Sequence, residues 1–523
     1  MSYIIGLSPE EKKQIEDIEH DDSKGDLEKS QLLHETMKNI KQKPKKSSNT
    51  IFNVANTMMG SALLVMPINY YDAGVLSACI AAGIVAYISY KTANLVILHS
   101  IEEEIDYPEA VNRILGKKWE FFYNLLSMFL LFLVGVIHFI LMSHSLYSVL
   151  KNIFPDSDSW PSSDTITWDQ FSLQYVGIII FVVCFVLYLF EDLTIVLKIN
   201  DKGVYMIMVF CLYALYLGIY GIVNYDFTFV LTGHPGKNRK GLELVLFTFN
   251  IETLVGIFGL AYMIHNVVNG IMKSNPQEIV KNSRDLRTAY ILVFVLYCIL
   301  GIFGMFAVAY LYHENYTEKL PETIMDLIVR SNPGMTGAQN ILGIFSLLLV
   351  FTQLTTVIPI LLFFTRRQFF NLMYLPGHQI AKWQFHSFNM VFNIASLVIQ
   401  LMAFNINVVI SITGAVGGFF LCYVIPISLH IKCLYWPVKS STSPGDFKKV
   451  SNSSDELETK KEESSEELIK SSPKPPRDSA EEHQCVDHTE IMKDNRQLTY
   501  AYWTVIGLLG TSILVIQFVK LFS

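Results

Sequence analysis

Apolar residues run through this chain in stretches of about 20, separated by short polar segments, from Asn49 to Ile431 and again near the C-terminus. At 1.5 Å rise per residue, a helix of that length crosses a hydrocarbon core of about 30 Å. The pattern predicts eleven transmembrane helices: Asn49–Tyr70, Gly74–Ser100, Trp119–Leu150, Leu173–Phe190, Gly203–Ile222, Glu252–Met272, Leu286–Tyr312, Gln339–Phe364, Phe385–Phe404, Val408–Ile431 and Tyr500–Lys520. None alternates with period two, which argues against an outer-membrane barrel. Lipid cannot satisfy open backbone groups, so the spans are helices. Between spans two and three, Asp106–Leu115 has apolar residues at helical spacing and predicts a short amphipathic helix on the membrane surface.

Composition sharpens this picture. Of the 523 residues, 51% are hydrophobic and only 17% charged, against about 25% charged in a soluble domain. This excludes a soluble enzyme and a nucleic-acid binder with a basic face. The charges gather at two places: Glu10–Lys46, with ten acids and nine bases, and Lys439–Arg496, with fourteen acids and ten bases. Ser451–Ala480 is rich in Ser, Glu, Lys and Pro, too polar to offset its ordering entropy by burial. The chain therefore divides into a disordered cytosolic tail (1–48), a ten-helix core (49–435), a disordered cytosolic loop (436–498) and an eleventh helix (499–523). The tails are solvated linkers or docking sites for cytosolic proteins. The first 48 residues contain no apolar signal-peptide core, so targeting falls to span one. Of seven cysteines, five lie in apolar runs and none is spaced for zinc.

Lys and Arg set the orientation. With the N-tail cytosolic, the short loops on its side carry twelve basic residues and those opposite carry six. The odd span count puts the C-terminus on the luminal or external side. The triplet Asn315-Tyr316-Thr317 then faces the lumen, where Asn315 is a glycosylation acceptor.

Candidate chemistry lies where the helix pattern breaks. Span one contains Asn56-Thr57-Met58-Met59-Gly60-Ser61, with Pro67 beyond. Gly weakens a helix interior, and Asn, Thr and Ser compete for its hydrogen bonds. The cluster is either a packing notch or an unwound turn, whose freed backbone groups suit a ligand or ion. Span six carries Gly256 and Gly259, followed by His265 and Asn266. Interrupted segments at matching places in two inverted halves point to a transporter's binding site. Span eight carries Thr352, Gln353, Thr355 and Thr356 before Pro359. These are oxygen ligands for a hard cation, or hydroxyls bonded back to their own helix. Ser411, Thr413, Gly414, Gly417 and Gly418 in span ten let neighbouring backbones approach, in a rocking interface or a static one.

These motifs resemble the amino acid/auxin permease superfamily and, within it, the solute carrier 38 family, most closely its lysosomal, arginine-responsive branch. Asn56–Ser61 matches the span-one motif. Leu260–Asn266, Lys273-Ser274-Asn275, Arg284-Asp285-Leu286 and Ala289-Tyr290 match spans six and seven. Thr356-Val357-Ile358-Pro359 with Arg367-Gln368 matches span eight and its exit. The resemblance covers roughly 48–435 and 498–520.

The resemblance implies an all-α LeuT-type fold, a 5+5 inverted repeat plus one C-terminal helix. It implies an amino acid held by Thr57, Met58, Met59, Gly60 and Ser61, mostly through backbone, and Na⁺ held by Asn56 and Thr356. The external disulfide of the family's plasma-membrane members has no cysteines here, and the N-tail lacks the branch's docking motif. Glu252 is a further departure: an acid that attracts a cationic substrate, carries a coupling proton or snorkels to the interface. His265 is either a proton-coupling group or a packing residue. The expectation is a secondary active amino acid transporter, Na⁺- or H⁺-coupled, working by alternating access, with no further cofactor. Its setting is a lysosomal, vacuolar or endosomal membrane, with the plasma membrane as the alternative. The rival reading is an amino-acid sensor that signals through its cytosolic tails.

Overall fold

The computed structural model describes most of residues 47–435, with short interruptions, together with 502–508 and 511. The two charged tails, Ser61 and most of the eleventh span lie outside the described residues. Span one is two helices, α1 (Ser47–Met58) and α2 (Ala62–Ala73), bent by 59° at the break. Span two is α3 (Val75–Ile101), and the amphipathic surface helix is α4 (Tyr107–Leu115). Spans three to five are α5 (Lys117–Ile153), α6 (Leu173–Leu187) and α7 (Leu193–Asn224). Span six is again two helices, α8 (Glu252–Ala261) and α9 (Val268–Lys273). Spans seven to nine are α10 (Ile279–Asn315), α11 (Gly337–Met373) and α12 (Lys382–Leu401). Span ten joins α13 (Ile406–Gly417) to α14 (Ile425–Tyr435) through a π-helical stretch, Gly418–Val424.

Among the described residues, six helices are long and apolar enough to cross a membrane, and a seventh if the bent pair of span one counts as one. Several helices outrun the apolar windows that predicted them. Span five begins at Leu193 rather than Gly203, and span eight runs to Met373 rather than Phe364. Both extensions carry charge, Lys198 and Lys202 in one and Arg366 and Arg367 in the other. Helices continue past the apolar window because backbone bonding does not stop at the membrane boundary.

One element was not expected from the pattern of spans. Before span six, β1 (Phe227–Val230), β2 (Gly236–Asn238) and β3 (Gly241–Val245) form a sheet in the order β1-β3-β2. β1 pairs parallel to β3 with Phe227 opposite Leu242, and β2 pairs antiparallel. Leu242, Leu244 and Val245 are buried. The strands are too short and mixed to register beside long apolar runs.

The segment after β3 clamps the junction of spans one and two. Leu76 donates its N–H to Leu246 O at 3.0 Å, and Thr248 Oγ1 donates to Ala73 O at 2.9 Å. Gly74 turns the chain there with φ +82°, where an added Cβ would lie 3.0 Å from the Leu246 carbonyl. Left-handed backbone and close approach together make glycine the fitting residue.

On the opposite face, Asp106 before α4 pairs with Lys273 (3.0 Å) and Arg367 (2.5 Å). The segment before α4, the end of α9 and the last turns of α11 thus meet on one face.

Candidate functional site

The helical ladder of α1 ends with Met59 N–H donating to Ala55 O at 2.9 Å, and the helix resumes at Ala62. The chain therefore leaves the helix at Met59 and Gly60, while Asn56 and Thr57 stay in its last turn, so the cluster ends a helix rather than forming a packing notch inside a continuous one. Beyond such an end, carbonyls lack their i+4 partners. In the membrane each unmet group is costly, and here span seven meets them. Tyr297 OH donates to Met58 O at 2.8 Å. One helical heptad earlier, Tyr290 OH donates to Tyr262 O at 2.9 Å. The two tyrosines share one face of α10, so a single helix caps the breaks of both interrupted spans. Both are almost fully buried.

In span six the break lies later than the glycines suggest. Gly256 and Gly259 stay helical, and the chain leaves the helix at Tyr262–Val267. The glycines serve contact instead. A Cβ on Gly414 of span ten would sit 2.0 Å from Gly256 O, and one on Gly259 would sit 2.9 Å from Gly414 O. Close backbone packing at small residues accounts for them.

The two breaks line one cavity of about 30 Å³, room for little more than a water or two. Thr57, Met58 and Gly60 come from span one, Met263 and Asn266 from span six, His138 from span three and Leu361 from span eight. Among the described residues, every side chain on its wall apart from Thr57, His138 and Asn266 is apolar, and none is an acid, Lys or Arg. Thr57, Met58 and Gly60 of the expected binding set thus line the cavity. Met59 is fully buried beside them, and Ser61 lies outside the described residues.

Beside the cavity is a polar junction of spans one, five and eight. Asn56 Nδ2 lies 3.2 Å from Thr356 Oγ1 and donates to Asn200 O (2.7 Å) and Oδ1 (2.9 Å). Gln353 Nε2 donates to Asn56 Oδ1 at 3.1 Å. Asn200 Nδ2 donates to Asn53 Oδ1 at 3.0 Å and reaches Thr57 Oγ1 at 3.3 Å. Asn56, Asn200, Gln353 and Thr356 are all buried. The family resemblance paired Asn56 with Thr356, and the two side chains do lie together. Asn200 and Gln353 were not singled out as partners. A lone Asn within charged, helical surroundings carries no spacing that marks it. Gly203 packs against this junction: its Cβ would fall 2.4 Å from both Asn56 Nδ2 and Thr356 Oγ1. The span-eight hydroxyls also bond back to their own helix, Thr352 to Leu348 O and Thr356 to Gln353 O, each at 2.7 Å.

The remaining candidates lie elsewhere. His265 is in the span-six break but faces span two, with Nε2 2.9 Å from Thr92 Oγ1. Glu252 is the first residue of α8, nine residues before the end of that helix, or roughly 14 Å at helical rise. Asn315 ends α10. The side chains of Glu252 and Asn315, and the rest of the sequon, lie outside the described residues.

Comparison with known proteins places this arrangement. Residues 44–450 match the family model described as transmembrane amino acid transporter protein. A Caenorhabditis elegans protein named sodium-coupled neutral amino acid transporter 9 homolog is 23% identical over 447 residues, covering 73% of this chain and 68% of its own. Neutral amino acid transporter 9 of Xenopus tropicalis is 23% identical over 444 residues, 74% of either chain. Among solved structures, Mhp1, a nucleobase-cation-symport-1 family transporter in a closed conformation with bromovinylhydantoin bound, superposes with a TM-score of 0.50. It is 14% identical, over 75% of this chain and 79% of that one. That likeness is one of fold, a LeuT-type arrangement of helices.

Proposed function

Because the chain belongs to the family of transmembrane amino acid transporters, as the match over residues 44–450 shows, we propose that it carries neutral amino acids by cation-coupled alternating access. It is a multi-pass membrane protein and not an enzyme. The observation that carries the proposal is the meeting of two interrupted spans at one cavity. Half-helix ends aim their dipoles inward there, and unwound backbone can grip the α-carboxylate and α-ammonium common to all amino acids. The wall leaves little for a charged side chain to pair with, which favours neutral substrates with small side chains. The printed names of the C. elegans and X. tropicalis relatives support that class.

For the driving ion we propose Na⁺, held between spans one and eight by Asn56 Oδ1 and Thr356 Oγ1, with Asn200 Oδ1 beside them. All are neutral oxygens of the kind a dehydrated hard cation takes. At present the Asn56 amide group turns its N–H toward Thr356. A rotation that exchanges the amide's oxygen and nitrogen presents oxygen instead, at the cost of its bonds to Asn200 and of the bond from Gln353. The ion thus competes with an internal amide network and couples its binding to the position of span one. The name of the C. elegans relative, sodium-coupled, supports Na⁺. The proposed setting is a lysosomal or vacuolar membrane, on the resemblance to the lysosomal branch. A tagged protein that co-localises with a plasma-membrane marker contradicts it.

Uptake of labelled amino acids into proteoliposomes, with Na⁺ and pH gradients imposed separately, tests the mechanism. Uptake concentrated by an inward Na⁺ gradient is expected. Uptake that ignores Na⁺ and follows pH means that H⁺ is the coupling ion.

A further inference from the structure

His138 enters no motif and lies in the middle of span three, yet its ring packs directly on the span-one break. A Cβ placed on Gly60 would lie 2.4 Å from His138 Nε2 and 2.8 Å from Cε1. The side chain is 1% exposed. Its Nδ1 is 2.8 Å from Val134 O, one turn back on its own helix. A carbonyl can only accept, so Nδ1 carries the proton, and in the neutral ring Nε2 keeps a lone pair. Among the described residues that Nε2 has no hydrogen-bond partner, although it is fully buried and on the cavity wall. Across the cavity, Asn266 Nδ2 in the span-six break is likewise buried and unpartnered among the described residues. Buried polar atoms are ordinarily satisfied, and the exceptions need an explanation. Here one unmet acceptor and one unmet donor line the same cavity.

We propose that His138 is a substrate-binding residue whose Nε2 accepts a hydrogen bond from the α-ammonium of the transported amino acid. This rests on the reading of the cavity as the amino-acid site and names the part of the substrate that one side chain reads. The logic is chemical. A zwitterion brings one obligate donor, the ammonium, and one obligate acceptor, the carboxylate. An imidazole locked by Val134 with its lone pair inward matches the donor. Asn266 Nδ2, a pure donor, matches the carboxylate. The His138–Val134 bond also fixes the ring's orientation, so no rotamer search is needed when substrate arrives. With a charged donor the bond is stronger than between neutral partners.

The test uses the full-length protein in proteoliposomes and begins with the amino acid it takes up best among the twenty common ones. Its competitors are that amino acid's 2-hydroxy acid, which keeps the carboxylate and lacks the ammonium, and its C-terminal amide, which keeps the ammonium. In the parent protein the hydroxy acid should compete at least tenfold more weakly than the unlabelled amino acid. His138→Leu should raise KM tenfold or more and shrink that discrimination to within threefold. His138→Gln, which restores an acceptor, should recover most of both. The amide should lose affinity in His138→Leu as the amino acid does. Unaltered discrimination in His138→Leu overturns the assignment, as does discrimination lost equally in His138→Leu and His138→Gln. A His138→Leu protein whose pH dependence vanishes while its preference for the ammonium persists makes His138 a proton carrier, which also overturns it. If His138→Leu fails to fold, His138→Gln decides, since it must keep the ammonium preference. A parent protein that takes up none of the twenty contradicts the transporter reading itself, an outcome distinct from these.

Discussion

Thr356 holds two bonds at once, donating to Gln353 O and standing 3.2 Å from Asn56 Nδ2. If its oxygen is also a Na⁺ ligand, Thr356→Ala removes that ligand without adding bulk. A lost bond to a charged group is worth about 1.5–3 kcal/mol, or roughly ten- to more than hundredfold in Na⁺ requirement. Thr356→Ser keeps the hydroxyl and should be nearly silent, as Na⁺ titrations of uptake would show. Equal damage from both substitutions means that methyl packing, not the oxygen, matters. Tyr297 makes a separate prediction. Tyr297→Phe keeps the ring but leaves Met58 O unmet in a buried setting, a loss of about 1–3 kcal/mol. Melting of the detergent-solubilised protein should fall accordingly, and a Tm equal to the parent's contradicts the capping role. Tyr297 does not stand out in the sequence, Tyr290 enters it only through the Ala289-Tyr290 resemblance, and the hydrogen-bond partners alone give the two a task. Asn56 and Thr356 are picked out through the family resemblance; the apolar pattern marks each only as one of several polar residues in its span. Asn200 and His138 could not be picked out, because their significance depends on which helix they face.

At the level of the helices, the interrupted spans show what sequence can and cannot locate. Asn, Thr, Gly and Ser concentrated within a few residues weaken helix locally, and span one does break there. In span six the glycines drew attention to the wrong turn. They remain helical because Gly414 of span ten leaves room for their backbone to pack, and the chain opens at Tyr262–Val267, around His265 and Asn266. Helix interruption is a contest between local propensity and tertiary contact, and only the first is written in neighbouring residues. The contact between spans six and ten makes a prediction of its own. Gly414→Val places atoms against Gly256 O, where even a Cβ would be 2.0 Å away. Overpacking of this kind costs about 1–3 kcal/mol or more, so the variant should melt lower than the parent. A Gly414→Val protein as stable as the parent contradicts the close approach of these two helices.

For the molecule as a whole, the first question is which way it faces. Asp106, Lys273 and Arg367 meet on one face, and on the expectation set by the basic residues that face should be cytosolic. Asn315, at the far end of span seven, should therefore be luminal. A cysteine at that position should react with an impermeant reagent only from the luminal side, and labelling from the cytosol alone would invert the topology. On the same expectation the small sheet before span six should face the lumen, since the segment after it clamps the start of span two. If the breaks in spans one and six form the amino-acid site, Gly60 is its most exacting position. His138 lies so close that no side chain fits without displacing it. Saturable uptake of labelled neutral amino acids into proteoliposomes, compared between the parent and Gly60→Leu at matched amounts of folded protein, tests this most directly. Saturable uptake by the parent and its loss in Gly60→Leu are expected; unimpaired uptake by a folded Gly60→Leu protein would mean that the amino acid binds elsewhere.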